Sequence, residues 1–396
     1  MTTSLPRQDR IRRAIELLRN DTTDKFDDVV PFSAEEFTDP VLAQQERDFV
    51  FGTVPSIVAH GSEIGRAYDF MTVQMPRNNL IISRQKDGGV KAFVNLCRHR
   101  GAMLENAEKG RCRVFSCPYH RWSYDPDGSL RMITRDNTFG DIDRSEFGLV
   151  EVPCEERHGF IWVIDNAEAT IDVAGWLGPE MDAILAGYHL DELVCYRAGG
   201  FDEPTNWKIM QDAFLDGYHI QYAHPNSAGK IIHTNVMAFE DFGRHCRFIA
   251  PRKSIDRWLE EDPGDQPLDP YVTETHFLLP NSTLLRQPDH FQLLTFRPHP
   301  SDPTKSRMEQ RLMVPPVEQS GLDEGHWNAR WDKNWQILLT VLHEEDFPLL
   351  RNSQQGMSSA DAGGMLLGRN EIANQVFHRE IRTLLAEGRS ASAAPE

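Results

Sequence analysis

Residues 97–128 read CRHRGAMLENAEKGRCRVFSCPYHRWSYDPDG, and this stretch contains the most specific pattern in the first half of the chain. It contains two compact pairs, Cys97-x-His99 and Cys117-x-x-His120, separated by 17 residues. Structural zinc sites usually place two or more residues between the ligands of each half, and the first pair is tighter than that. Two such pairs in one short stretch form a candidate metal site.

The ligand types favour a mixed iron–sulfur cluster over zinc. A Rieske [2Fe–2S] cluster takes two cysteines on one iron and two histidines on the other. The imidazoles raise its reduction potential, so the cluster can accept an electron from a ferredoxin or a flavin protein. We therefore predict that the cluster ligands are Cys97, His99, Cys117 and His120, with zinc as the weaker alternative.

The surrounding sequence predicts an α+β protein of two domains. Over 48–165, short β-rich runs such as NNLIISRQ and GFIWVI alternate with KDGG, EKG and PDG turns, which is typical of a small antiparallel β domain. Residues 1–47 predict a helical segment that packs on the second domain. Residues 166–388 mix helices and strands and form the second domain. The segment 389–396, RSASAAPE, predicts a disordered tail beyond a helix that Gly388 stops.

Composition excludes several classes of partner. The 396 residues carry a net charge of −18, which argues against nucleic acid and anionic membranes as main partners. The six cysteines show no disulfide framework, so we expect a reducing, cytoplasmic setting. No apolar run approaches the length of a membrane span.

A second candidate site lies in QDAFLDGYHIQYAHP, which begins at Gln211. On a helix, Asp216 lies one turn before His219, so its carboxylate can hold one ring nitrogen and fix the tautomer. His224 precedes a proline, and we expect the helix to end near Tyr222 and let His224 fold back beside His219. This pattern differs from H-E-x-x-H, in which both histidines share a helical face and zinc is expected.

A third ligand would complete the two-histidine, one-carboxylate iron site of non-haem oxygenases. The helix predicted over 326–350 offers two neighbouring acids. Asp346 continues the inward stripe of Leu342, whereas Glu345 is in phase with Leu338. Periodicity alone leaves the choice between the two acids open.

The two motifs together resemble a known family. CRHRGAML followed by CPYHRWSYDPDG is similar to the Rieske motif of the aromatic-ring-hydroxylating oxygenase α (oxygenase) subunits. NWKIMQDAFLDGYHIQYAHP resembles the mononuclear-iron segment of that family, and EEDFPLLRNSQQG resembles its Glu-Asp…Gln-x-Gly stretch. The resemblance implies His219, His224 and Asp346 as iron ligands. It also implies a helix-grip catalytic domain, in which helices pack on a twisted antiparallel sheet.

Further expectations follow from the same resemblance. Asp216 would be the catalytic carboxylate that bridges His219 to His120 of a neighbouring subunit in a homotrimer. A ferredoxin and/or a flavin reductase would deliver electrons from NAD(P)H. With O₂, the protein would hydroxylate a small aromatic substrate that could carry a carboxylate.

Alternatives remain open. The first is a Rieske monooxygenase or demethylase acting on methoxyaromatics, quaternary amines or steroids. A more remote one is a Rieske electron-transfer protein without oxygenase chemistry. A zinc hydrolase using the two histidines would leave the Rieske motif without a purpose.

Two residues depart from the family pattern. Arg121 stands where members usually have glycine. It could strain its loop, or it could extend a basic docking surface. We favour the docking surface, because residues 98–121 carry a local charge of +4. Ala213 stands where many members have asparagine. For the substrate pocket, the residues expected as lining are Phe214, Ile220, Met237, Phe277 and Leu284. Arg286 or Lys230 is the candidate to hold a carboxylate.

Overall fold

The first element described in the computed structural model, which covers residues 6–264 and 266–393, is an amphipathic helix, α1 (Arg7–Arg19). This helix buries Ile11 and Ile15 in an apolar cluster that includes Ile249 of the second domain. The rest of the N-terminal segment comprises β1 (Val30–Phe32), α2 (Glu35–Thr38), α3 (Pro40–Glu46) and a π-helical turn (Arg47–Phe51). The segment therefore lies against the second domain.

The first domain is built from short antiparallel strands. They are β2 (Ser56–His60), β3 (Asp69–Gln74), β4 (Asn79–Arg84), β5 (Val90–Val94), β6 (Lys109–Arg111), β7 (Phe115–Ser116), β8 (Ser123–Tyr124), β9 (Leu130–Met132), β10 (Glu151–Val152), β11 (Cys154–Arg157) and β12 (Phe160–Val163). They form sheets of order β10-β5-β4-β3-β6, β11-β12-β2 and β7-β8-β9. The 3₁₀ turns are Gly61–Ile64, Asp136–Thr138 and Arg144–Phe147. The β7-β8-β9 sheet carries the second Cys/His loop between β7 and β8.

The second domain is a seven-stranded antiparallel sheet with helices packed on it. Its elements are α4 (Val173–Ala186), β13 (Val194–Glu203), α5 (Trp207–Asp212), α6 (Ile220–Ala223), β14 (Ala238–Phe242), β15 (His245–Pro251), β16 (Val272–Leu278), β17 (Ser282–Arg286), β18 (Phe291–Pro298), β19 (Ser306–Val314), α7 (Val317–Ser320), α8 (Glu324–Thr340), a π-helical segment (Val341–Asp346), α9 (Phe347–Met357), β20 (Met365–Leu367) and α10 (Ile372–Ala393). Its 3₁₀ turns are Leu190–Glu192, Ala228–Lys230, Lys253–Trp258 and Asp269–Tyr271. The strand order is β13-β19-β18-β17-β16-β15-β14, and β20 pairs with β1.

This architecture confirms the predicted fold class, an α+β protein with antiparallel sheets and a helix-grip second domain. Helix α10 crosses the sheet and places Phe377 against Phe277 of β16 and Trp207 of α5, with ring centroids 5.4 and 5.6 Å apart. Among the described helices, none has both the length and the apolar character needed to cross a bilayer.

The prediction that one helix carries Asp216 and His219 and ends near Tyr222 is wrong, because the segment is broken after α5. Asp216 accepts hydrogen bonds from the backbone N–H groups of Tyr218 (2.7 Å) and His219 (3.0 Å). A short aspartate side chain competes in this way with helical hydrogen bonds and starts a new turn instead. Helix α6 then begins at Ile220.

The prediction that Gly388 stops the last helix is also wrong, and 389–393 are helical where a disordered tail was expected; 394–396 lie outside the described residues. A Cβ at Gly388 would lie 2.3 Å from Cγ of Phe49. The glycine therefore permits close packing on the N-terminal segment. The hydroxyl groups of Ser390 and Ser392 donate to backbone carbonyls four residues earlier, which is compatible with the helix continuing.

Candidate functional sites

Two turns of similar geometry carry the first Cys/His set. In each turn, the cysteine N–H donates to the carbonyl five residues later at 2.8 Å. The carbonyl of the same cysteine accepts from the N–H four residues later at 3.0 Å, which is Gly101 after Cys97 and Arg121 after Cys117. The sequence thus folds into two equivalent turns that bring its Cys/His pairs together.

The side chains of these turns separate by type. Cys97 and Cys117 are buried, at 1% and 2% exposure, and neither forms a disulfide. His99 and His120 are half-buried, and their ring centroids lie 4.7 Å apart. The buried Nδ1 of His120 has no hydrogen-bond partner among the described residues. Two inward thiols, two imidazoles and an orphaned ring nitrogen fit a [2Fe–2S] cluster with mixed ligands.

A hydrogen bond at the sulfur of Cys97 supplies part of this environment. The Tyr124 hydroxyl lies 3.4 Å from Cys97 Sγ and accepts from the Arg98 backbone N–H at 3.0 Å. Burial raises the pKa of the Cys97 thiol, so a metal is needed to hold it as a thiolate at neutral pH. Hydrogen bonds to cluster sulfur are one of the means by which a protein sets the reduction potential.

Arg121 occupies a left-handed backbone conformation. Its φ is +61°, and the equivalent position in the first turn is Gly101 with φ of +75°. A non-glycine residue in this region is strained by roughly 1 kcal/mol or more. Backbone strain at Arg121 was one of two explanations that the sequence offered for this residue, and the loop does carry that strain.

The basic residues around the cluster site are partly neutralised. Lys109 pairs with Glu63 at 2.7 Å, and Arg111 lies 3.8 Å from Asp69. Arg100 and Arg121 are exposed beside the two histidines. The charge available to a partner protein is consequently smaller than the sequence count predicted.

The second site starts at the turn after α5. Both carboxylate oxygens of Asp216 lie 3.0 Å from Nδ1 of His219. The side chain of Asp216 is only 12% exposed, so water weakens this contact little. The predicted Asp216–His219 contact is present although the predicted helix is not. Because Nδ1 donates to Asp216, the remaining nitrogen of His219 is Nε2.

A second imidazole is held from both sides. Nε2 of His224 lies 3.2 Å from Oδ1 of Asp346, and its Nδ1 lies 2.8 Å from Oε2 of Glu345. The Ser227 hydroxyl also donates to Glu345. Burial alone would lower the pKa of His224, but the hydrogen bonds to Asp346 and then Glu345 outweigh burial and raise it. The sequence analysis identified both acids as candidate ligands. It did not predict the contact between Glu345 and His224, which are 121 residues apart in sequence.

The structure brings His219, His224 and Asp346 together. Each offers a ligand atom, and these atoms all lie within 4.8 Å of one another. Cis ligands of a metal with bonds of about 2.1 Å lie roughly 3 Å apart, which the His224–Asp346 distance matches. Asp346 is buried with 5% exposure and has no arginine or lysine ion pair among the described residues. Two imidazoles and one carboxylate fit a non-haem iron(II) site with open positions.

These residues form part of the wall of a cavity of about 380 Å³. Of the five residues expected to line the pocket, Phe214 and Ile220 do so. Met237 packs against Gly217 instead, and Phe277 lies beneath α10. Leu284 lies in an apolar cluster shared with α4, so its side chain belongs to the other face of the sheet. Ala213 lines the cavity and adds only a methyl group there.

Neither basic residue expected to hold a carboxylate lines this cavity. Arg286 lies 3.5 Å from Glu274 and 3.9 Å from Asp269, and Lys230 is exposed. The arginine that does line the cavity is Arg252, which the sequence analysis did not single out. No local pattern marks Arg252, because a single arginine after a strand resembles an ordinary surface residue.

Comparison with known proteins gives these sites a family. Residues 188–387 match the family model of the ring hydroxylating alpha subunit (catalytic domain), and residues 55–143 match that of the Rieske [2Fe-2S] domain. The chain is 34% identical over 212 residues to the anthranilate 1,2-dioxygenase large subunit of Acinetobacter baylyi, covering 52% of this chain and 45% of that protein. It is 30% identical over 220 residues to the carnitine monooxygenase oxygenase subunit of Acinetobacter pittii, covering 55% and 59%.

Solved structures of similar fold cover most of the chain. The quaternary ammonium Rieske monooxygenase CntA in complex with L-carnitine aligns with a TM-score of 0.74 at 21% identity, covering 90% of this chain and 96% of that one. Naphthalene 1,2-dioxygenase from Rhodococcus sp. bound to indole aligns with a TM-score of 0.71 at 19% identity, covering 97% and 100%. In sequence, the chain spans about half the length of the curated relatives it matches. The chain belongs to the family of ring-hydroxylating α subunits, in which a Rieske [2Fe–2S] domain precedes a catalytic domain that binds mononuclear iron.

Proposed function

We propose that this protein is the terminal oxygenase component of a Rieske oxygenase system. It would use O₂ and electrons derived from NAD(P)H to hydroxylate a small aromatic substrate. The observation that carries the proposal is the convergence of His219, His224 and Asp346 at the wall of a cavity, in a chain that also carries the Cys/His set. Iron(II) in a site of this kind supplies the binding and activation of O₂.

The protein's own residues prepare the site. Asp216 and Glu345 each accept a hydrogen bond from Nδ1 of a histidine, so both Nε2 atoms present a lone pair to the centre. Asp346 would neutralise part of the metal charge. Phe214 and Phe248 line the cavity, exclude water there and offer apolar surface to a ring.

We further propose that Asp216 links His219 to His120 of a neighbouring subunit in a homotrimer. The buried, unpartnered Nδ1 of His120 is the atom left for the cluster, and its Nε2 is then available to a neighbouring subunit. Exposed tyrosines flank both ends of this link, with Tyr119 at 56% and Tyr222 at 72% exposure. Tyrosine is enriched at protein interfaces. One similar structure, that of a quaternary ammonium Rieske monooxygenase, is described in terms of inter-subunit electron transfer.

The electron donor would be a ferredoxin and/or a flavin reductase that docks on the basic surface that includes Arg121. A reducing, cytoplasmic setting is part of the same proposal, because the six cysteines show no disulfide framework in sequence. An electron-transfer protein without oxygenase chemistry is disfavoured, because the triad and its two supporting carboxylates would then have no use.

A monooxygenase or demethylase is the second candidate, for methoxyaromatics, quaternary amines or steroids. Similarity to the carnitine monooxygenase oxygenase subunits keeps quaternary amines within this alternative. Both candidates share the same cofactors and the same triad. They differ in how many oxygen atoms reach the product.

Turnover under heavy-isotope O₂ tests the proposal. The protein would be reconstituted with a reductase and offered aromatic acids, methoxyaromatics, steroids and quaternary amines, with mass spectrometry of the products. Two labelled atoms in one product would establish dioxygenation, and one labelled atom or released formaldehyde would establish the second candidate. Oxygenase function would be contradicted if no substrate gained label and no substrate increased NADH consumption.

A further inference from the structure

Arg252 is an arginine in the wall of the cavity that also contains the iron triad. Its Nη2 donates to Oε1 of Gln287 at 2.8 Å, and its Nε lies 3.5 Å from the Thr273 hydroxyl. Both partners are neutral. Thr273 also donates to the same Gln287 oxygen, at 3.2 Å. These two hydrogen bonds occupy the side-chain oxygen of Gln287 and fix its orientation. The side-chain nitrogen of Gln287 is left to donate to another group.

No carboxylate among the described residues lies within 4.0 Å of the Arg252 guanidinium. The other arginines of this sheet behave differently, since Arg286 contacts Glu274 and Arg297 contacts Glu309. Burial lowers the pKa of Arg252, and among the described residues Asp289 is the one acid that acts to raise it. Asp289 is already bonded to His290 and Arg330.

The strand register places this arginine at the polar end of the cavity floor. Phe248, Ala250 and Arg252 all line the cavity at two-residue spacing along β15 and just beyond it. Phe248 opposes Thr275 on β16, and it belongs to the same apolar cluster as Leu342, one helical turn before Asp346. From Phe248 to Arg252 the backbone advances by about 13 Å. The floor thus changes from apolar at Phe248 and Ala250 to polar at the strand end.

We infer that the substrate of this site carries a carboxylate, which Arg252 and Gln287 bind while an aromatic or alicyclic body lies over Phe248 and Ala250 towards the triad. This inference rests on the proposed oxygenase function and names its substrate class. A guanidinium presents parallel N–H groups that match the two oxygens of a carboxylate. Arg252 is the one arginine or lysine among the described cavity-lining residues, which suits a monoanion.

The same placement selects against the other substrate classes. A neutral methoxyaromatic or steroid at this end would remove water from the guanidinium without replacing its hydrogen bonds, which is unfavourable. A quaternary amine without an acid group would bring a second positive charge to Arg252. Each of these ligands would therefore bind less tightly than an acid of the same shape.

Direct binding to the iron-loaded protein tests the inference without turnover. Calorimetry would compare benzoate, 2-aminobenzoate, 1-naphthoate and cyclohexanecarboxylate with their amides, with benzenesulfonate, and with choline. The variants are Arg252→Gln, Arg252→Lys and the matched control Lys230→Gln, which removes one exposed charge outside the cavity wall. We expect at least one acid to bind more tightly than its amide. Its affinity should fall on the order of 10- to 100-fold in Arg252→Gln, partly recover in Arg252→Lys and stay unchanged in Lys230→Gln.

Three results would overturn the inference. The first is that no acid in the panel binds more tightly than its amide. The second is that Arg252→Gln leaves acid binding intact. The third is that choline or benzenesulfonate is the tightest ligand. Circular dichroism and iron content of Arg252→Gln separate lost binding from lost folding. Failure of the oxygenase proposal would appear as acid binding that depends on Arg252 without labelled product. The two failures are therefore distinguishable.

Discussion

Glu345 and Asp346, two consecutive acids, contact opposite nitrogens of the same imidazole. Oε2 of Glu345 lies 2.8 Å from Nδ1 of His224, and Oδ1 of Asp346 lies 3.2 Å from Nε2. Both acids lie in the π-helical segment Val341–Asp346, where the helix is wider than an α-helix. Asp346 thus faces the proposed iron, while Glu345 orients the ring that faces it.

Replacing Glu345 by glutamine should weaken metal binding. The neutral amide keeps a hydrogen-bond acceptor but loses the charge that raises the basicity of His224. We expect iron(II) affinity to fall about 10- to 100-fold, as is typical when the partner of a ligating histidine is changed. Anaerobic titration of iron-stripped protein measures it. Glu344→Gln, an exposed neighbour, is the control, and equal affinities in the two variants would contradict the positioning role.

Asp216→Asn should separate metal binding from turnover. The asparagine oxygen can still accept from Nδ1 of His219, so at saturating iron(II) the metal should remain bound, with an affinity lowered as in Glu345→Gln. Turnover should fall by about 10- to 100-fold or more, because the charged link towards His120 is lost. Iron analysis together with the rate at which the reduced Rieske cluster is reoxidised measures both. Asp216→Glu should recover part of the rate, and wild-type reoxidation in Asp216→Asn would refute the link.

The sequence could predict both sites because most of their ligands are neighbours along the chain. Cys97 and His99, and likewise His219 and His224, need only local turns to come together. Asp346 was identified by resemblance, since periodicity did not distinguish it from Glu345. The contact between Glu345 and His224 could not be predicted, because it depends on how two distant segments pack.

The misplaced cavity residues have a related cause. Arg286 and Gln287 are adjacent, but successive side chains of a strand point to opposite faces. One therefore joins the Glu274 network and the other lines the cavity. A strand shows its alternation in sequence but does not show which face covers the active site. Arg252 follows the same rule, and only the register of β15 assigns it to the cavity.

The strain at Arg121 predicts a stabilising substitution. Arg121→Gly should raise the free energy of unfolding by about 1 kcal/mol, because relief of the left-handed conformation exceeds the entropy that glycine loses on folding. Thermal unfolding of cluster-loaded protein measures the change. Arg121→Gln keeps the strain and removes the charge, so it is the control. An unfolding temperature no higher in Arg121→Gly than in Arg121→Gln would contradict strain as the cause.

The same two variants test the docking surface. Both remove the positive charge of Arg121, so both should slow reduction of the cluster by its donor, and the effect should shrink at high salt. Stopped-flow reduction at two ionic strengths measures this. An unchanged rate in both variants would leave backbone strain as the sole consequence of arginine at this position.

Acid should loosen the N-terminal helix through Glu274. This fully buried carboxylate of β16 lies 3.5 Å from Arg7 and 3.2 Å from Arg10 of α1, and 3.3 Å from Arg247. Burial alone would raise the pKa of Glu274, but the surrounding positive charges lower it to about 2. His276 is the largest of these charges once it is protonated, and burial delays that protonation by lowering its own pKa to about 4.

A lowered pKa in the folded state means that the ionised form stabilises the fold. This contribution is complete above the ordinary glutamate pKa of 4.5 and is lost as pH falls from there towards about 2. Between pH 5 and 3, wild-type protein should therefore lose about 1 to 2 kcal/mol of unfolding free energy relative to Glu274→Gln. Urea unfolding, with hydrogen exchange of α1, measures this difference. Glu16→Gln changes an exposed acid of the same helix, and its unfolding free energy should depend on pH in the same way as that of the wild type. If the unfolding free energy of Glu274→Gln also depends on pH as that of the wild type does, ionised Glu274 does not hold the helix.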